Sequence, residues 1–86
     1  MNLKKRSLQV AAKNTSNKNI RKSIEELTEL SLELLHKLNK PHKDNNAKII
    51  KEIADVEIRM LYLKKTFGKA AIKTAMDKKL KTIESC

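Results

Sequence analysis

The sequence predicts an all-α protein: an antiparallel helical hairpin plus a shorter C-terminal helix, assembling into a helical bundle by homo-oligomerisation. Three observations carry this. Gly and Pro occur once each, and Leu, Ile, Lys, Glu and Ala dominate over strand-forming residues. Apolar residues recur at helical spacing in two long stretches. The second of these is apolar around most of its circumference, more than one hairpin partner can cover, which predicts a homodimer or homotetramer.

Residues 1–18 read as a basic, partly mobile lead-in, with five Lys/Arg and no acid. Leu3, Leu8 and Val10 support one or two weak helical turns, and "NTSNKN", residues 14–19, should end them. Residues 19–86 form one helical domain. Its first helix is expected from about Ile20 to Leu38, on the stripe Ile20, Ile24, Leu27, Ser31, Leu34 and Leu38. Ser23 with Glu26 also fits a capping box. "NKPHKDNN", residues 39–46, ends the helix, because Pro41 biases Lys40 out of helical geometry. The second helix is expected from about Ala47 to Phe67, with Gly68 as C-cap or hinge. A third, about Ala70 to Ile83, places Ile72, Met76, Leu80 and Ile83 on one side.

At about 100° per residue, the apolar residues of the second helix leave one narrow polar stripe. It holds Lys48, Glu52, Asp55, Arg59 and Thr66, while Glu57 falls inside the apolar arc. On the first helix Glu25, Glu26, Glu29 and Glu33 cluster opposite the leucines. In a short-looped hairpin, Glu29 and Asp55 stand level to within about a turn at ~1.5 Å per residue. Carboxylates at one height repel unless a cation lies between them. Lys48, Arg59 or a hard divalent ion would serve. His36 and His42 lie off the cluster and Cys86 is the lone cysteine, which argues against zinc.

"EELTE", residues 25–29, and "EIAD", residues 52–55, with 22 residues between them, resemble the motifs of the MazG-like nucleoside triphosphate pyrophosphohydrolases. The run "EIADVEIRMLYLKKTFG", residues 52–68, is similar to small stand-alone members, often phage- or prophage-borne. The resemblance covers about residues 19–83. It implies hydrolysis of (deoxy)nucleoside triphosphates to the monophosphate and pyrophosphate with Mg²⁺, or Mn²⁺ in its place. It further implies Glu26, Glu29, Glu52 and Asp55 as metal ligands, and Glu25 as the residue that works on water. Lys48, Arg59 and Lys79 are candidates for neutralising phosphate charge.

A net charge of +10 keeps a second reading in play, a non-catalytic basic module that binds nucleic acid or a partner protein. A phosphoribosyl-ATP pyrophosphohydrolase is a lesser alternative on the same fold. No apolar run approaches the ~18 residues of a membrane span, the N-terminus lacks a secretory apolar core, and one cysteine suits a reducing compartment. The expected location is the cytoplasm.

Overall fold

The computed structural model describes residues 2–86, and all four of their regular elements are helices: α1 Leu3–Ala12, α2 Ser16–Asn39, α3 Asn46–Phe67 and α4 Lys69–Glu84. Local chemistry sets most of these bounds. The Asn2 side chain accepts from the Lys5 backbone N–H at 2.7 Å and starts α1. Thr15 does the same for α2, accepting from the Lys18 N–H at 3.2 Å. α2 therefore begins at Ser16, a turn ahead of the expected Ile20. The Ser23–Glu26 capping box goes unused, because Ser23 Oγ donates to the Asn19 carbonyl inside the helix. Asn45 precedes α3 without capping it. Its Nδ2 instead donates to the Glu33 carbonyl and Oε1, at 3.0 and 3.2 Å, tying the loop to α2. Asp44 Oδ1 accepts the Asn46 N–H at 3.1 Å.

The N-terminal segment departs from the one or two weak turns expected of it. α1 is ten residues long and packs on α3. Its reason is a polar anchor that apolar periodicity does not register. The Asn19 side chain, 2% exposed, donates from Nδ2 to the Ala11 carbonyl at 2.9 Å and the Asn14 carbonyl at 3.5 Å. These bonds tie α2 to the last turn of α1 and to the loop that follows it; the Ala11 carbonyl also accepts the Asn14 backbone N–H at 3.0 Å.

α2 and α3 make the main contact of the fold. Their partners run Glu33 with Asn45, Glu29 with Glu52, Glu26 with Asp55, and Asn19 with Tyr62, in opposite chain order on the two helices. The seam is small and polar. Among the described residues the buried ones are Ser7, Ala11, Asn19, Ser23 and Glu52. The two serine hydroxyls donate within their own helices, Ser7 to the Leu3 carbonyl at 2.7 Å and Ser23 to the Asn19 carbonyl at 2.9 Å, which removes the cost of leaving them unpaired.

The expected burial of α3 on several sides is not met within one chain. Ile50, Ile53, Ile58 and Phe67 are exposed, as are Ile24, Leu27, Leu32, Leu34, Leu35 and Leu38 of α2. The middle of the polar stripe of α3, Glu52 with Asp55 and Arg59, faces into the chain, and of the apolar arc Ile49, Val56, Met60, Leu61 and Leu63 are half-buried. The accessible surface is 7157 Å², against about 5,200 Å² for a compact monomer of 9.9 kDa. The radius of gyration is 15.5 Å, against about 12 Å for a compact chain of this length.

Gly68 alone separates α3 from α4, at φ 106°. A Cβ there would lie 3.6 Å from Ala71 Cβ, an ordinary contact, so the demand for glycine comes from the backbone. Gly68→Ala is therefore expected to lower stability by about 1–2 kcal/mol in denaturant titration. An unchanged midpoint would show that this junction relaxes freely.

Candidate metal centre

The site begins with helical spacing. Glu52 and Asp55 are three residues apart on α3, one side of a turn, and Glu26 and Glu29 repeat that spacing on α2. Ser23, one turn before Glu26, is buried. Glu26, Glu52 and Asp55 each place a carboxylate oxygen within 4.8 Å of the others'. Glu29 stands against Glu52, within hydrogen-bond reach.

Burial and like charge act together on this group. Glu52 is 8% exposed, and its Oε2, like Glu26 Oε2, is buried without a donor. Burial is the largest cause holding the Glu26 carboxyl above its ordinary value, with Asp55 and Glu29 adding to it and Arg59 opposing. Burial also leads for Glu52, followed by the hydrogen bond and charge of Glu29, while Lys51 opposes. Lys51 Nζ lies 3.8 Å from Glu52 Oε1 and 3.7 Å from Asp55 Oδ2. It is exposed and borders the group on its wet side.

Of the candidates drawn from the sequence, the fold brings Glu26, Glu52 and Asp55 together and puts Glu29 beside them. Arg59, part-buried, faces Glu26. Glu25 stands apart, more than half exposed and 3.5 Å from Lys22 Nζ. Lys48 acts on Glu33, towards the loop end of the seam. Lys79 is exposed on α4 and takes no part in perturbing these carboxylates. Sequence reasoning missed Lys51, although its four-residue spacing to Asp55 was a usable signal.

Further along the seam lies a hollow of about 340 Å³, where Asn19, Ser16, Tyr62, Lys65 and Thr66 meet Leu8, Ala11 and Ala12 of α1. Hydrogen bonding from Ser16, then Thr66, holds the Tyr62 hydroxyl below its ordinary value. Asn19 Oδ1 is buried there without a donor.

No family model, curated protein or solved structure significantly matches the chain.

The raised carboxyls have a consequence for stability. Glu26 and Glu52 hold protons more tightly folded than unfolded, so their contribution is fully present below 4.5 and is lost as pH rises through the raised values. Glu33 is shifted down and acts in the opposite sense, but below 4.5. Without divalent ions, the melting temperature should fall from pH about 5 towards neutrality. Glu52→Gln should flatten that fall. A wild-type profile that rises over this range would refute the electrostatic account.

Proposed function

We propose that the chain is a Mg²⁺-dependent pyrophosphohydrolase of nucleoside triphosphates, as its resemblance to the MazG-like enzymes implies. One observation carries the reading: a buried Glu52 carboxylate, with an oxygen lacking any donor, lies against Glu26 and Asp55. A divalent cation satisfies such oxygens, and an all-oxygen donor set suits a hard ion. Glu26, Glu52 and Asp55 would hold it, with Glu29 reaching it through a change of rotamer. The ion's chemistry there is to offset triphosphate charge and polarise the phosphorus under attack.

The chain's own groups supply the rest. In the reaction the oxygen of water bonds to the α-phosphorus, and the bond to the α,β-bridging oxygen breaks. That oxygen leaves on pyrophosphate, and the water's proton passes to a carboxylate. Glu25 takes this proton only if it leaves Lys22 and turns towards the seam. Glu29, already against Glu52, is the other carboxylate at that height. Arg59 and Lys51 border the group and would meet phosphate oxygens. The Asn19–Tyr62 hollow lies seven residues along α2 from Glu26, about 10 Å, and would take the nucleoside end.

Pyrophosphate release from a panel of dNTPs and NTPs with Mg²⁺ or Mn²⁺ tests the reading. Glu52→Gln and Glu26→Gln should each lower kcat at least about 100-fold, and calorimetric metal binding should weaken in parallel. No turnover by the wild type, together with no heat of metal binding, would sink the proposal.

Assembly is part of the same reading. The excess accessible surface of about 2,000 Å² per chain exceeds the ~800 Å² each partner buries in a standard interface. The leucine face of α2 and the isoleucine face of α3 would pack against a second copy, giving a helical bundle. Light scattering should report a dimer or tetramer at micromolar concentration. A stable monomer would contradict this.

A further inference from the structure

Charge is strongly segregated along this chain, and the fold gathers the basic part. Residues 1–24 and 58–76 hold twelve Lys/Arg and no acid, while the remainder carries eight Lys/Arg against ten acids. α1 packs on α3, and α4 follows α3 after one residue, so these two segments share one end of the molecule. There Lys4 of α1, Lys64 and Lys65 of α3 and Lys69 of α4 line a groove of about 560 Å³ floored by Leu8 and Leu61. None of the four makes an ion pair among the described residues. Lys4 and Lys69 line the same groove, and Lys69 holds the Lys4 ammonium below its ordinary value.

Two facing ammonium groups on flexible stems would normally swing apart into water. Here their stems rise from helices whose separation is set by the α1–α3 contact and by Gly68. Four close cations with no carboxylate call for a ligand with repeated negative charge. A nucleic-acid strand carries one phosphate per ~3.4 Å of axis and matches that density. The groove does not read as a membrane surface. Its leucines form the floor and the lysines the rim, whereas the exposed Leu3 and Val10 of α1 line a different groove, shared with Glu57 and Ile58. Nothing in the lysine groove has the planar amide or guanidinium groups that read base edges, so binding would be to the backbone and indifferent to sequence.

We propose that the Lys4–Lys64–Lys65–Lys69 groove binds the phosphate backbone of nucleic acid, independently of the carboxylate site.

Fluorescence anisotropy of a labelled duplex DNA of about 20 base pairs, without divalent ions, provides the test. Affinity should fall with salt, at a log–log slope of about −3 to −4 for four phosphates. The variant Lys4→Gln/Lys64→Gln/Lys69→Gln, which spares the Asn19–Tyr62 hollow, should bind at least about tenfold more weakly, with a slope shallower by about 3. The control Lys43→Gln/Lys78→Gln/Lys81→Gln removes the same charge from outside the groove and should lose less than about threefold. Lys69→Glu alone, a surface change on an exposed helix, should reproduce most of the loss. Equal losses in groove and control variants would overturn the proposal, because binding would then follow net charge alone. So would absence of binding at about 50 mM salt, or binding to phosphatidylserine vesicles with none to DNA.

Discussion

Glu26 on α2 repels Glu52 and Asp55 across the seam that joins the two longest helices, and the rest of the architecture is arranged around that repulsion. The carboxylates meet within the α2–α3 seam, one turn from the buried Ser23. Their charges have nowhere to go in the protein alone. Proton uptake, the nearby Arg59 and the exposed Lys51 each offset part of the repulsion. A seam built from Ser23, Asn19, Glu26 and Glu52 also leaves the leucines and isoleucines of both helices on the outside. The polar interior and the apolar exterior are thus two sides of one choice of helix orientation.

That orientation explains why the single chain is expanded for its mass. A helix apolar on most of its circumference must bury several faces. Within one chain α3 meets α2 with its polar stripe, meets α1 along part of a side, and touches α4 near the glycine. What remains is an apolar surface on both long helices, the kind that another copy of the same chain covers by symmetry. Basic residues collect at the end where α1, α3 and α4 meet, and acidic ones along the middle of the seam. The molecule therefore presents separate polar, apolar and cationic regions on one small frame.

Helix number and extent beyond α1 were legible because apolar periodicity and the Pro41 and Gly68 breaks speak directly to local structure. That the two acidic pairs would face each other was legible to within about a turn from loop length and rise per residue, although the expected neighbour of Asp55 was Glu29 and the fold gives it Glu26. α1 was not, because its anchor is a single buried amide, Asn19, whose partners are backbone carbonyls eight and five residues away. The separation of Glu25 from the trio was not legible either. Adjacent residues on a helix diverge by about 100°, and spacing alone does not say which of Glu25 and Glu26 turns to the seam. How much of the apolar arc of α3 one chain would leave exposed was not legible, because periodicity locates an apolar face without saying whether the chain itself covers it.

The makeup of the interior bears on how the protein responds to temperature. Among the described residues Ala11 is the single apolar side chain that is fully buried, beside three polar ones and a carboxylate. Heat capacity changes on unfolding in proportion to the apolar surface newly wetted, and polar exposure offsets it. An isolated chain of this kind has a small heat-capacity increment and a nearly flat stability curve. Pronounced curvature, and with it weakening in the cold, would arise only if the exposed apolar faces were buried between copies in the proposed assembly. Cooling would then loosen the assembly before it unravelled the helices.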